Sequence, residues 1–341
     1  MIGKEEKIIS LNDASIGYKG KSQTTMVVKS GISVYALKGE LVALIGGNGV
    51  GKSTLLRTIA GFQPSFHGDV LLRGKQVNTY HEKERALIMS FVSTEIIRVP
   101  NLSVFDLVSL GRYPYTNWFG KLLDEDRHIV EEAIRSVGLQ GYENRMVNYL
   151  SDGERQKAMI ARTLAQDTEI IVLDEPTAFL DLSNKYGIVH ILHELAREKG
   201  KTILFSTHDL TTAIAESDRI WLMLDESVEQ GSPEDLVLNG SFDALFHNEH
   251  LYFDPEKGDF RIRKQTKRKA LIIGTGIATN WTIKAVERNG YEVIDSEALD
   301  RSDVSVTIEV AYPDWTVSHK GQITKFSSLL SLCRYINGLD S

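Results

Sequence analysis

Residues 41–54 read LVALIGGNGVGKST, and this stretch decides the fold of the first part of the chain. Five apolar residues precede a glycine-rich loop, and residues 55–60 follow with apolar side chains at helical spacing until Gly61. The apolar run predicts a buried strand, and the spacing after the loop predicts a helix. Such a junction predicts an anion site, because loop N–H groups and a helix N-terminus face the same point.

Two further apolar runs, at residues 170–173 and 203–205, alternate with helical segments. Buried runs separated by helices predict a mostly parallel sheet that is covered on both faces, which is an α/β fold. Residues from about 100 to 165 are predicted to be largely helical, and residues 124–137 among them are charged and amphipathic. We therefore expect a helical subdomain inserted between the strands of the sheet.

The glycine-rich loop fits the phosphate-loop pattern GxxxxGK[ST]. Glycines in this pattern let successive backbone N–H groups surround phosphate oxygens. Lys52 is expected to reach the β- and γ-phosphates of a nucleotide, and the Ser53 hydroxyl is expected to bind Mg²⁺. The predicted nucleotide-binding residues of the loop are Gly46, Gly47, Asn48, Gly49, Val50, Gly51, Lys52, Ser53 and Thr54.

Asp174 and Glu175 directly follow the apolar run at residues 170–173. Ligands of open α/β sheets bind at the carboxyl ends of the strands, so both carboxylates are expected beside the glycine loop. Asp174 is predicted to hold Mg²⁺ through water. Glu175 is predicted to orient and polarise the water that attacks the nucleotide.

Residues 150–154, LSDGE, lie shortly before the strand that carries Asp174, and they resemble the LSGGQ signature of ABC ATPases. The resemblance extends over about residues 5–260. In that family the signature loop closes over the γ-phosphate of an ATP molecule held by the other subunit. The resemblance therefore implies contacts to ATP from Ser151 and from the backbone of Gly153.

The signature-like segment departs from the family pattern at two positions, where Asp152 replaces a glycine and Glu154 replaces a glutamine. Ser151 and Glu154 also have the spacing of a capping box, which would begin a helix whether or not the segment binds ATP. An acidic side chain close to a phosphate is unfavourable by repulsion. Both interpretations, signature and simple helix cap, therefore stand at the level of the sequence.

The same resemblance assigns roles to residues whose function could not be inferred from their own positions in the sequence. Residues 178–181, AFLD, resemble the D-loop that couples the two ATP sites of a dimer. His208 resembles the switch histidine at the γ-phosphate, and Tyr18 resembles the aromatic residue that stacks on adenine. Alone, they would be read as a structural histidine and a packed tyrosine. Glu95 is the nearest stand-in for the missing Q-loop glutamine and is predicted to contact a Mg²⁺-bound water.

Residues 101–108 and 110–115 look like the ATPase subunits of importers for iron–siderophore complexes, haem and vitamin B12. That resemblance implies a homodimer with two ATP molecules, a separate membrane permease and an extracytoplasmic substrate-binding protein. It also implies a peripheral location at the cytoplasmic face of the inner (plasma) membrane. A soluble ABC ATPase, such as one acting in Fe–S cluster assembly, is the alternative, and its partner would be soluble.

Composition is consistent with a cytoplasmic protein. The 341 residues carry a net charge of -7, which argues against a dedicated nucleic-acid-binding protein. The N-terminus does not have the pattern of a signal peptide, and no apolar run of about 18 residues occurs. Cys333 is the only cysteine, which fits a reducing compartment.

The end of the chain is predicted to form a separate module. We assign residues 1–262 to the ABC ATP-binding domain, 263–269 to a basic linker and 270–341 to a small α+β module, for which a regulatory role is our hypothesis. The basic run RIRKQTKRK at residues 261–269 fits a solvated linker or, alternatively, a contact with anionic lipid or an acidic partner.

The module begins with a strand, a turn and a helix. Gly274-Thr275-Gly276 between them matches only part of a dinucleotide-binding fingerprint, because Thr279 stands where a third glycine would be. A tight turn is the expected structure there. Further predicted elements are a helix at 279–288, a strand at 304–310, a hairpin from 315–317 and 322–325, and a helix at 329–336.

Overall fold

A computed structural model describes residues 6–19, 25–93, 101–116, 121–245, 251–262, 268–294 and 304–339. The described residues form two compact units. The first extends to Arg261, and the second comprises Leu251 and the residues from Ile262 onward. Among the described residues, no helix is both long and apolar enough to cross a membrane.

The strands up to Ile262 are, in chain order, β1 (Lys7–Lys19), β2 (Thr25–Leu37), β3 (Leu41–Gly46), β4 (His67–Leu72), β5 (Lys75–Gln76), β6 (Met89–Val92), β7 (Ile170–Leu173), β8 (Thr202–Thr207), β9 (Arg219–Met223), β10 (Val228–Gly231), β11 (Leu251–Asp254) and β12 (Asp259–Ile262). The helices in the same part are α1 (Lys52–Ile59), α2 (Glu82–Ile88), α3 (Val104–Ser109), α4 (Asp124–Ser136), α5 (Asp152–Ala165), α6 (Leu182–Arg197), α7 (Leu210–Glu216) and α8 (Pro233–Leu238). Short 3₁₀ helices cover Val77–Thr79, Leu110–Tyr115, Val147–Tyr149 and Ser241–Leu245.

The main sheet has the strand order β10-β9-β3-β8-β7-β6. Neighbours from β9 to β6 are parallel, and β10 pairs with β9 in the antiparallel sense. Strands β3 and β7, which the sequence singled out, are not adjacent, because β8 lies between them. The predicted mostly parallel sheet is therefore confirmed.

Both faces of this sheet are buried, as the uninterrupted apolar runs predict. In β3, Leu41, Ala43 and Ile45 belong to the core cluster that contains the residues of α3, α4 and α5. Val42 and Leu44 point to the other face and share a core with α1 and with the antiparallel sheet β2-β1-β4-β5. Helices α3, α4 and α5 pack on one another, in the region where helical structure was predicted.

The second unit contains β13 (Arg268–Ile273), α9 (Ile277–Arg288), β14 (Tyr291–Ile294), β15 (Val304–Ala311), β16 (Asp314–His319), β17 (Gln322–Phe326) and α10 (Leu329–Gly338). Its sheet has the order β14-β13-β15-β16-β17. Strand β13 is parallel to β14 and β15, whereas β15, β16 and β17 form an antiparallel meander. The strands, hairpin and helices predicted for this part are all present. Strand β13 begins two residues before the predicted strand at residue 270.

Candidate active site

The carboxyl ends of β3, β8 and β7 lie side by side at one edge of the main sheet. Ile45 pairs with Thr207, and Leu173 pairs with Phe205. The chain that leaves these strands therefore brings the glycine loop, the two acidic residues and His208 to the same edge, where open α/β sheets bind ligands.

The glycine loop has backbone positions that favour glycine. Gly49 has φ +76° and Gly51 has φ +112°, values that other residues adopt only with strain. A Cβ atom on Gly46 would lie 2.7 Å from the carbonyl oxygen of Met223. Gly51 is the N-cap of α1, and no described side chain caps that helix. The first N–H groups of α1 are thus available to an anion.

The Lys52 ammonium lies buried in the glycine loop. Its Nζ donates hydrogen bonds to the carbonyl oxygens of Gly46 at 2.9 Å and Gly47 at 3.0 Å. Only 6% of the residue is exposed. Burial lowers the pKa of the ammonium below its usual value, although Glu175 and Asp174 act in the opposite direction. The loop therefore holds a desolvated cation, which attracts phosphate more strongly than an exposed one.

Ser206 joins the two acidic residues, and sequence reasoning missed it. Its Oγ donates a hydrogen bond to Oδ1 of Asp174 at 2.8 Å and accepts one from the backbone N–H of Glu175 at 2.8 Å. Ser206 is fully buried in β8. The sequence did contain a signal for this role, since Ser206 directly follows the apolar run at residues 203–205. A serine buried in such a strand needs hydrogen-bond partners for its hydroxyl.

His208 lies between Glu175 and Lys52. Its Nε2 contacts a carboxylate oxygen of Glu175, and its Nδ1 is 3.5 Å from Nζ of Lys52. Glu175 itself has φ +48°, an uncommon value for a residue with a side chain. The predicted base, the predicted switch histidine and the phosphate-loop lysine thus form one connected group.

Tyr18 contacts the glycine loop through its hydroxyl group. This hydroxyl forms a hydrogen bond with Oγ1 of the buried Thr54, while 48% of Tyr18 is exposed. A tyrosine that is anchored at its hydroxyl and half-exposed at its ring has a surface available for stacking. The predicted role at adenine stays a prediction.

The predicted metal-binding residues are only partly placed. Ser53 is exposed in the first turn of α1, next to Lys52, and Asp174 is buried at the end of β7. Glu95 lies outside the described residues. The two placed residues offer oxygen atoms at the edge of the sheet where the glycine loop lies.

Ser151 and Gly153 form the N-terminus of α5. Ser151 is the N-cap, and it exchanges hydrogen bonds with Glu154, so the capping box is present. A Cβ atom on Gly153 would lie 2.5 Å from Cγ of Asn184, which explains the glycine by close approach of α6. The signature role of both residues stays a prediction, because a helix cap and an ATP contact are compatible.

The two acidic departures in this segment have cationic partners. Asp152 pairs with Arg155 at 2.8 Å, and Glu154 lies 3.5 Å from Arg145. The hydrogen bond from the Ser151 backbone, ahead of other causes, lowers the pKa of Glu154. The neighbouring arginines reduce the repulsion that the two carboxylates would exert on a phosphate.

The D-loop-like segment precedes α6. Asp181 is the N-cap of α6 and accepts a hydrogen bond from the backbone N–H of Asn184 at 2.8 Å. Phe179 is almost completely exposed and has φ +62°. A bulky side chain is unusual at a positive φ. The exposed ring of Phe179 adds an apolar patch to the surface of the D-loop-like segment.

The family model of ABC transporters matches residues 30–178, and that of the iron ABC transporter C-terminal domain matches residues 267–337. An uncharacterized ABC transporter ATP-binding protein of Methanocaldococcus jannaschii is 34% identical over 84% of this chain and 98% of its own length. The chain belongs to the family of ABC transporter ATP-binding proteins. It is accordingly an ATPase subunit of the ABC type and binds ATP.

Two further relatives of this ABC ATPase are named for siderophore uptake. The petrobactin import ATP-binding protein of Bacillus anthracis is 36% identical over 70% of this chain and 88% of its own. The ferric enterobactin transport ATP-binding protein of Escherichia coli K12 is 38% identical over 62% of this chain and 78% of its own.

Solved structures confirm the predicted α/β ABC ATPase fold. A chain of a metal-chelate type ABC transporter in an inward-facing conformation has a TM-score of 0.61 and 27% identity, over 74% of this chain and 95% of that one. A dimeric bacterial ABC transporter cassette has a TM-score of 0.59 and 27% identity, over 66% of this chain and 98% of that one.

Proposed function

We propose that this ABC ATPase powers the uptake of an iron chelate, haem or cobalamin through a separate membrane permease. The observation that carries the proposal is the match of one chain to both the ABC transporter family and the iron ABC transporter C-terminal domain. The relatives named for petrobactin and enterobactin favour a ferric siderophore among the three cargoes.

Hydrolysis of ATP is assigned to the group formed by Glu175, His208 and Lys52. The Glu175 carboxylate accepts a proton from the attacking water while the water oxygen bonds to the γ-phosphorus and ADP leaves. His208 positions the carboxylate through its Nε2 and touches the γ-phosphate in the closed site. Lys52 and the loop N–H groups stabilise negative charge on the β- and γ-phosphates.

The residues beside the loop fit Mg²⁺. The hydroxyl of Ser53 and the carboxylate of Asp174 are oxygen donors of the kind that Mg²⁺ prefers. Ser206 orients the Asp174 carboxylate by donating to Oδ1 at 2.8 Å. When bound, Mg²⁺ would neutralise charge on the phosphates. Glu95 is retained as a predicted contact to a Mg²⁺-bound water.

Two copies are proposed to bind two ATP molecules head to tail. Each ATP would lie between the glycine loop of one copy and Ser151 with Gly153 of the other. The dimeric cassette among the similar structures supports this arrangement. Closure would need the γ-phosphate on both sides, so hydrolysis would reopen the dimer and switch the permease between inward and outward states.

The helical subdomain offers the surface that we assign to the permease. Arg112 is buried, where its Nε donates to Asp126 at 2.8 Å and its guanidinium also donates to the carbonyl oxygen of Ala165 at 2.9 Å. The neighbouring Leu110 and Tyr113 are exposed. The buried ion pair thus anchors a segment whose apolar side chains face outward, which supports contact with a partner.

The partner test is affinity purification of the protein from detergent-solubilised native membranes, followed by mass spectrometry. We expect a polytopic permease and, with it, an extracytoplasmic substrate-binding protein, which would place the ATPase at the cytoplasmic face of the inner (plasma) membrane. The purified complex in vesicles is then tested with ferric siderophore, haem and cobalamin. Recovery of soluble partners alone would contradict the proposal and favour the Fe–S assembly alternative.

A further inference from the structure

The turn between β13 and α9 exposes a helix N-terminus. Gly274, Thr275 and Gly276 form this turn, and all three are exposed. Gly276 has φ +84° and is the N-cap of α9, a helix of 12 residues that no described side chain caps. The first N–H groups of α9 therefore face solvent with the positive end of the helix dipole.

Thr279 supplies an independent indication of a ligand. The residue is 6% exposed, and its Oγ1 has no hydrogen-bond partner among the described residues. A Cβ atom on Gly274 would lie 2.8 Å from this oxygen, so the hydroxyl faces the turn. Most buried hydroxyl groups have a partner. An oxygen atom bound in the turn would provide the acceptor that Thr279 lacks.

The turn also lies at the carboxyl end of β13, where the chain connections lead to strands on opposite sides of β13. Strand β13 has β14 on one side and β15 on the other, and both are parallel to it. The chain passes through α9 to β14 on one side and later reaches β15 on the opposite side. In open α/β sheets, ligands bind at the carboxyl ends of the strands at such a switch point.

Exposed apolar side chains border the turn. Ile277 and Trp281 lie four residues apart on α9, and both are exposed. Tyr312 follows β15 and is also exposed; its ring meets Trp315 edge-on at 6.0 Å. The Trp315 indole N–H donates to Thr282 of α9 at 2.8 Å, which keeps this aromatic pair close to the helix. A ligand with a flat ring would find apolar contacts there.

We propose that the turn formed by Gly274, Thr275 and Gly276 binds the phosphate group of a small mononucleotide-like metabolite. Its phosphate receives hydrogen bonds from the N-terminus of α9 and from Thr279, and its ring packs on the neighbouring apolar side chains. The proposal goes beyond ATP hydrolysis, because it concerns the second unit alone. It gives the C-terminal module a ligand that is distinct from the cargo and from the ATP of the first unit.

The test is calorimetric titration of the full chain carrying Lys52→Ala, which weakens the first nucleotide site, with AMP and with inorganic phosphate. We expect saturable binding of AMP and weaker binding of phosphate. Adding Thr275→Glu places a carboxylate in the turn and should weaken AMP binding by roughly tenfold or more. Thr279→Val should weaken it by about tenfold, because a hydrogen bond to a charged group is lost.

The matched control is Gln322→Glu, which adds the same charge at the opposite edge of the sheet and should leave AMP binding unchanged. Thr279→Val should retain the melting temperature, because a methyl group replaces a buried hydroxyl that has no hydrogen-bond partner in the described part of the chain. Absence of saturable AMP binding overturns the proposal. Binding that both Thr275→Glu and Thr279→Val leave unaltered also overturns it, since that binding belongs to the first unit.

Discussion

At the scale of single residues, Glu175 is held by contacts on both its backbone and its side chain. Its φ of +48° carries a conformational cost on the order of 1–3 kcal/mol. The backbone N–H donates to Ser206, and the carboxylate contacts His208. Residues with such a cost cluster at functional sites, which supports the proposed role of Glu175 as the base.

Glu175→Gln should separate ATP binding from hydrolysis. The amide retains the shape of the side chain but cannot accept the proton, so turnover should fall by about 10²–10⁴ while ATP binding is retained. The variant should also accumulate as a closed dimer with ATP. Glu131→Gln on the exposed surface of α4 is the control. Near-normal turnover of Glu175→Gln would remove this residue from the role of base.

Ser206→Ala should affect the use of Mg²⁺ as well as stability. The Asp174 carboxylate loses a hydrogen bond, and the Glu175 N–H loses its acceptor, which should destabilise the fold by about 1–3 kcal/mol. The Mg²⁺ concentration for half-maximal ATPase activity should rise. Ser90→Ala is the matched control, because Ser90 is a buried serine of β6 whose Oγ accepts from Thr168 at 3.0 Å. An equal Mg²⁺ requirement in both variants would show that Ser206 acts on stability alone.

The buried Lys52 predicts a loss of ATP affinity at alkaline pH. Because burial lowers the pKa of its ammonium, the charge is lost at a lower pH than for an exposed lysine. Affinity for ATP should therefore fall as the pH rises through that lowered pKa, and it should be fully present below it. Lys52→Ala should bind weakly with a flat profile over the same range. A steep profile in this variant would assign the effect to another group.

At the scale of elements, the N-termini of α5 and α6 are packed so closely that a Cβ atom at position 153 would displace the Asn184 side chain. Gly153 lies against the Asn184 side chain, whose Nδ2 donates to Asp181 at 3.1 Å. The signature-like segment and the D-loop-like segment are thereby coupled through a direct contact. Because the interior is closely packed, we expect a displacement of one helix end to require a displacement of the other.

Gly153→Ala should destabilise the protein by about 1–3 kcal/mol, because the new methyl group forces the Asn184 amide to move. Combining it with Asn184→Ala should recover part of the loss, as judged by chemical denaturation. Gly187→Ala within α6 is the control, since a Cβ atom there would meet nothing within 4 Å. This control should stabilise the protein by about 0.5–1 kcal/mol. Equal stabilities of the two single variants would contradict the predicted close contact.

At the scale of the whole molecule, the two units have separate hydrophobic cores. The core of the second unit is formed by its own strands and helices, including Val306, Trp315 and Leu332. The first unit contains all the described residues that we assign to ATP hydrolysis. The second unit therefore contributes none of the described residues that we assign to ATP hydrolysis.

Deletion of residues 266–341 tests the regulatory role that the sequence suggested for the module. We expect the shortened protein to hydrolyse ATP, because the predicted catalytic residues and their core are retained. Its ATPase and transport rates should respond differently from those of the full chain to cargo concentration or to AMP. Identical rates across all concentrations would contradict a regulatory module.

Much of this architecture was predictable because its signals are local. The apolar runs and the glycine loop predicted β3, β7, β8 and α1, and alternation in the C-terminal module predicted β15 and its hairpin. Glu95 and most of the basic run at 261–269 lie outside the described residues, so those predictions stay open.

By itself the sequence determined β3, β7, β8 and α1 in the first unit and most of the elements of the second, and it identified the residues that follow β3 and β7 at the predicted ATP site. Tertiary structure decided that β8 lies between β3 and β7, and it thereby made Ser206 the link between Asp174 and Glu175. It likewise placed His208 between Glu175 and Lys52. The physical reason is that periodicity and glycine positions act within a segment, whereas strand order depends on pairing between distant segments.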